Sequence, residues 1–147
     1  MKRQQQDGFT LVELMVVIVI IGILVAIALP NFIGATDRAR MANVKSNGHT
    51  VQTMLEAYAV DFNGKYPSTV AGLTQEAQTG SYFKQLTNPF DGTTTNAMVD
   101  FTGTFTVGGA VGFNQSAADN SKYYIYGSDK NMLRIKDKGN DFVLTNG

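Results

Sequence analysis

Phe9–Leu29, FTLVELMVVIVIIGILVAIAL, decides the fold. Only Thr10, Glu13 and Gly22 interrupt its apolar run, and it contains no strong breaker. Wound as a helix at about 1.5 Å per residue, the stretch reaches roughly 31 Å, the thickness of a bilayer's hydrocarbon core. Valine and isoleucine dominate it and would suit a buried strand, but strands in compact domains run only about 3 to 10 residues, so length selects the helix. The expectation is a membrane-spanning segment.

One carboxylate spoils the apolarity. An acid at the centre of a membrane helix costs about 3 kcal/mol on insertion scales, but Glu13 sits roughly 6 Å inside the first end, where snorkelling reduces the cost. Two readings stand side by side. A negative charge in the first turn complements the helix dipole, worth about 0.3 to 1 kcal/mol. Alternatively, the acid awaits a cation from another chain, as intramembrane acids with a function do.

The residues before the stretch narrow the choice. A secretory signal peptide has an apolar run of about 7 to 15 residues with a small-x-small cleavage site beyond it. Here the run is longer, and Ala26-Ile27-Ala28 lies inside it. Instead a polar leader, MKRQQQDG, ends in Gly8 and is followed by Phe9-Thr10-Leu11-Val12-Glu13. With Gly22 and Pro30, where the helix is expected to kink, this pattern resembles the type IV prepilin family, which takes in type IV pilins and the pseudopilins of type II secretion. The resemblance implies cleavage between Gly8 and Phe9 on the cytoplasmic side, N-methylation of the Phe9 amine by the same peptidase, and use of Phe9 and Glu13 in subunit assembly. Asp7 departs from the family, in which a basic or neutral residue is more usual at that position.

Composition bounds the remainder. The chain has 147 residues, 44% hydrophobic and 16% charged, and much of the apolar content is spent in the first stretch, so the soluble core must be small. Formal net charge is zero, which gives no wholesale attraction to nucleic acid. There is no cysteine. Many pilins close a C-terminal loop with a disulfide; this chain must hold its loop by other means. Lys2 and Arg3 before the helix keep the leader in the cytoplasm by the positive-inside rule, making a single-pass inner-membrane protein whose remainder lies outside.

Beyond Leu29 the helix is expected to continue through Pro30. Met41, Val44, Gly48, Val51, Met54, Leu55, Tyr58 and Phe62 recur at steps of three and four, one apolar stripe with Arg38, Lys45, Gln52 and Glu56 on the other faces. Asn63-Gly64 then supplies a left-handed C-cap, and Pro67 prevents resumption. Ser68 or Thr69 can cap a short helix reaching Ala77. This tyrosine-proline and glycine-leucine region is similar to the αβ-loop of major pseudopilins and of some pilins. Asn88-Pro89-Phe90-Asp91-Gly92 reads as a turn. Residues 98–101, 104–107, 123–126, 132–135 and 142–144 read as short strands, the last three a meander, with loops at Gly108-Gly109 and 114–120. The expected fold is therefore α+β: a long N-terminal spine helix, membrane-spanning in its first half and amphipathic in its second, packed against a small antiparallel β-sheet. Its regions are 1–8 (leader, removed), 9–29 (transmembrane and assembly helix), 30–64 (amphipathic continuation) and 65–147 (αβ-loop and sheet).

Catalysis finds little to use. The single histidine, His49, lies on the spine helix, no serine sits in a nucleophile elbow, and no glycine-rich loop links a strand to a helix. No catalytic residue, cofactor or metal is assigned. Asp119, Asp129, Asp137 and Asp141 offer oxygens to calcium, as related pseudopilins do, but their spacing fits no EF-hand and aspartates are what turns contain. The resemblance implies a structural subunit that polymerises through its apolar helix into an extracellular pilus. Its partners would be itself, the prepilin peptidase and methylase, an assembly platform with its ATPase, and the membrane before assembly. Lack of tryptophan weighs against the alternative, a type II secretion pseudopilin in a periplasmic pseudopilus, whose Asn-Pro loop carries one. A rival of another class is a membrane-anchored binding module, in which Glu13 and the leader would serve no purpose.

Overall fold

A computed structural model of the chain describes residues 8–115 and 120–146. The chain divides into two units, residues 1–36 and 37–147. One helix, α1, runs from Leu11 to Asp61 and passes through Pro30 without a break. Its buried residues all belong to the second unit: Val44, Gly48, Val51, Met54, Leu55 and Ala59. The expected stripe is therefore the packed face, with Met41 and Tyr58 half-buried at its margin and Phe62 outside it. Asn63 (φ 54°) and Gly64 (φ 77°) take the left-handed conformation. The Gly64 N–H donates to the Ala59 carbonyl at 2.8 Å, the six-to-one closure of a Schellman cap.

The short helix α2, Val70–Thr79, starts where a capping residue is available. The Thr69 hydroxyl accepts the Gly72 N–H at 3.1 Å, and the Asp100 carboxylate accepts the Val70 N–H at 2.6 Å. The main sheet has the order β1 (Met98–Asp100), β2 (Val111–Gln115), β3 (Tyr123–Gly127), β6 (Val143–Thr145). Between β3 and β6 a separate two-residue hairpin pairs β4 (Lys136–Asp137) with β5 (Asn140–Asp141).

This sheet departs from the antiparallel expectation at one edge. β1 and β2 are parallel, with Met98 opposite Val111, whereas β2–β3 and β3–β6 are antiparallel. A parallel pair needs a crossover, and residues 101–110 supply it, so 104–107 is no strand. Gly103 (φ 123°) and Gly109 (φ 78°) turn the backbone there. The stretch 132–135 is not a strand either, because Met132 at φ 64° interrupts the extended backbone and leaves only a bridge from Ser128 to Arg134. No meander forms: β6 pairs directly with β3.

Packing is helix on sheet. Val44, Val51, Met54 and Leu55 join Phe113, Tyr123, Ile125 and Phe142 in one cluster. Phe142 approaches α1 at Gly48, where a Cβ would lie 3.2 Å from its ring. A second, smaller cluster of Phe101, Phe105 and Ala110 sits under the crossover. In place of a disulfide, two fully buried polar side chains fasten the loops. Asn88 donates to the carbonyls of Gly108 (2.8 Å) and Asn96 (3.2 Å) and accepts the Phe90 N–H (2.9 Å). Ser128 donates to the Val107 carbonyl at 3.0 Å and accepts the Ala110 N–H at 2.9 Å.

A third tie joins the helix to the end of the chain. Tyr123 and Tyr66 donate to the two carboxylate oxygens of Glu56 at 2.6 and 3.2 Å, and the Asn146 amide donates to the Tyr66 hydroxyl at 3.3 Å. Burial, with the neighbouring Glu56 carboxylate adding to it, raises both phenols above the ordinary tyrosine value. A raised acid contributes stability below its unfolded value that is lost above it, since the unfolded chain ionises first. Stability should therefore fall from about pH 10 upward, by at most ~1.4 kcal/mol per pH unit for each of the two phenols. Alkaline unfolding followed by far-ultraviolet circular dichroism checks this. Glu56→Gln, which removes the charge facing both hydroxyls, should leave the onset near pH 10, set by the unfolded chain, but reduce the total stability lost above it; an undiminished loss would refute the coupling.

Candidate assembly segment

The first unit begins with a motif that its sequence spells and that a charge-centred reading passes over. Thr10 and Glu13 stand at the spacing of a capping box, S/T-x-x-E, and α1 starts at Leu11, directly after Thr10. Glu13 Oε2 accepts the Thr10 backbone N–H at 2.9 Å and the Thr10 hydroxyl at 2.7 Å. The Thr10 hydroxyl in turn accepts the Glu13 N–H at 3.2 Å. Glu13 therefore has its Oε2 hydrogen-bonded locally within one chain, while its charge meets no cation among the described residues. The motif combines the two readings of this acid, because a carboxylate that caps its own helix is also held at a fixed place in the first turn.

Around this polar head everything is apolar and uncovered. Within the chain Phe9 is 87% exposed, and Leu11, Val16, Ile20, Ile23, Ile27 and Ile33 are all exposed. Among the described residues this is the one helix long and apolar enough to cross a membrane. Pro30 lacks the N–H that would bond the Ala26 carbonyl one turn back. Just beyond it, the Asn31 side-chain amide donates to the Ile27 carbonyl at 3.3 Å. Gly22 and Gly8 have open space where a Cβ would stand.

The aspartates considered for calcium do not converge. Asp129 accepts the N–H groups of Asn131 (2.8 Å) and Leu133 (2.9 Å), closing a turn. Asp137 pairs with Lys45 at 3.4 Å, and Asp141 with Arg134 at 3.0 Å. Asp119 lies outside the described residues, and among those described no group of three metal-ligating side chains comes together.

Comparison with known proteins points to the same N-terminal segment. Residues 3–29 match the prokaryotic N-terminal methylation motif. The chain is 47% identical over 73 residues to the type II secretion system core protein G of Klebsiella michiganensis, covering 50% of this chain and 51% of that protein. The same protein of Pseudomonas aeruginosa is 44% identical over 73 residues, with the same coverage. The type IV narrow pilus major component PilA5 of Thermus thermophilus is 57% identical over 53 residues, 36% of this chain and 43% of that one. The chain spans about half the length of the curated relatives it matches. No solved structure matches it.

Proposed function

We propose that this chain, which carries the prepilin-type N-terminal segment common to type IV pilins and type II secretion pseudopilins, is the structural subunit of a filament. One observation carries the reading: a helix exposed over its whole apolar length, headed by a capped carboxylate beside the Gly8-Phe9 junction. Lipid can cover such a helix before assembly. Outside the membrane only other apolar helices can, and bundling copies of the same helix provides them. Head-to-tail contact between copies then yields an open filament rather than a closed ring.

In this reading the leader is cut after Gly8 in the cytoplasm, the Phe9 amine is methylated, and an assembly platform with its ATPase draws subunits from the inner membrane. The filament is an extracellular pilus. A second reading, a periplasmic pseudopilus, draws on the longer similarity to core protein G. Sheared extracellular material containing the chain supports the pilus, and retention in the periplasm supports the pseudopilus.

Processing gives the direct test. Since nothing within 4 Å would obstruct a Cβ at Gly8, a larger residue there leaves the chain's own fold undisturbed, and any failure to cleave belongs to the peptidase. Gly8→Leu should leave the uncut form, whereas the parent chain should yield a mature mass starting at methylated Phe9. A mature terminus after Ala28 would instead restore an ordinary signal peptide.

A further inference from the structure

The second unit carries an unclaimed cationic groove. Arg38, Met41, Ala42 and Lys45 of α1 form one wall, Ile135 and Lys136 the other, and they enclose about 210 Å³. Its apolar lining is Met41, Ala42 and Ile135, the last 3% exposed; its rim is three cations.

Most of the surrounding charges are already matched, Lys138 in the turn between β4 and β5 being a further exposed cation beside the rim. Lys130 is paired with Asp37 and Arg134 with Asp141, while the Arg40 guanidinium lies 5.6 Å over the Phe90 ring. Lys45 has Asp137 at 3.4 Å, with the Phe142 ring 5.5 Å away. Among the described residues, the side chains of Arg38 and Lys136 have neither an ion pair nor a hydrogen bond, and both are exposed. A chain with no net charge thus keeps two unpaired cations at one groove beside a third.

The covalent chain says what lies near. Arg38 follows Leu29 by nine residues of α1, so the covalent chain tethers the groove to the end of the apolar run. A phospholipid head presents a phosphodiester on a glycerol whose first methylenes are apolar, which suits cations over a Met41–Ile135 floor. Resting on the reading of the first unit as membrane-spanning, we propose that Arg38, Lys45 and Lys136 bind the phosphate of an anionic phospholipid head. The contact orients the second unit at the bilayer before assembly and is given up when the subunit leaves the membrane. Each basic residue at an anionic surface strengthens attachment about fivefold.

The test uses the full-length chain in vesicles of phosphatidylcholine alone or mixed with phosphatidylglycerol. Lysines are labelled with an N-hydroxysuccinimide ester and read by peptide mass spectrometry. Lys136 should label about fivefold more slowly in the anionic vesicles, with Lys84 and the Asp37-paired Lys130 unchanged. Arg38→Gln, which removes no bond within the chain, should restore most of the Lys136 rate. Equal Lys136 rates in the two vesicles, or equal slowing at Lys130, would overturn the groove as a lipid site. Inorganic phosphate that protects Lys136 as well in phosphatidylcholine vesicles would overturn the lipid as its ligand. Flotation of the same samples separates the premise: a chain that floats with neither vesicle refutes the membrane-spanning reading, whereas one that floats with both and shows no protection refutes only the groove.

Discussion

Glu13→Ala should insert into the membrane and be cleaved after Gly8 at the parent rate, yet produce filaments at roughly a hundredth of the parent level or less. In the proposed filament the carboxylate would be enclosed by neighbouring helices rather than lipid headgroups and would need a cation, which the proposed cleavage would create in the Phe9 amine of an adjacent subunit. Removing one member of a buried pair costs about 3 to 5 kcal/mol, which is two powers of ten or more in subunit addition. The capping box supplies a control, because Glu13 Oε2 also serves Thr10 within its own chain. Thr10→Val removes the cap, worth about 0.5 to 2 kcal/mol, and leaves the charge in place, so its loss should be about 2- to 30-fold, short of the hundredfold above. Counting filaments in shear fractions, with cleavage verified by mass, decides the matter. Parent-level filaments from Glu13→Ala would reduce the acid to a cap, and equal losses in both variants would say that capping explains everything.

Asn88→Ala should destabilise the second unit by ~4 kcal/mol, roughly 15 °C in Tm for a domain of this size. Asn88 is fully buried, and its truncation strands the half-buried Gly108 and Asn96 carbonyls and Phe90 N–H, at about 1 kcal/mol for each, with the void left by the side chain adding the rest. Asn88→Asp should be no better, since it keeps the acceptor but loses both donations and buries a charge. Asn96→Ala, which loses one long bond to Asp91 at 3.2 Å, should cost under ~1 kcal/mol. Thermal unfolding in detergent, followed through the tyrosine near-ultraviolet signal, measures all three. A loss below ~1 kcal/mol for Asn88→Ala would mean that water replaces the side chain and that the loops are fastened elsewhere.

Long-period features were legible in the sequence, and contacts between distant segments were not. The stripe from Val44 to Leu55 recurs at helical spacing because one partner surface covers it along its length, and the structure buries that face. The Asn63-Gly64 stop and the Thr69 cap are local chemistry and read directly. β2 escaped because Asn114 and Gln115 read as part of the 114–120 loop and Val111–Phe113, with Gly112 at its centre, reads as no element. The reason for Gly112 is space, since a Cβ there would stand 2.8 Å from the Phe105 ring, contributed by a different segment. The parallel β1–β2 pair escaped likewise: nothing in Met98–Asp100 tells a strand which direction its neighbour runs. At the assembly segment, the glycine junction and Glu13 stood out by type. The capping box was spelled by Thr10 and Glu13 but hidden by attention to charge alone.

Closing loops with Asn88 and Ser128 rather than with sulfur changes the clock on which the domain matures. Disulfide formation and reshuffling take seconds to hours and depend on an oxidant, whereas loops of about ten residues close in tens of nanoseconds and hairpins in microseconds. The crossover at 101–110 and the turn at Ser128 can therefore reach their native arrangement as soon as the chain emerges, with no enzyme in attendance. Equally, in the proposed filament a subunit pulled open by load could snap shut again with nothing to re-oxidise, at any redox potential the surroundings impose.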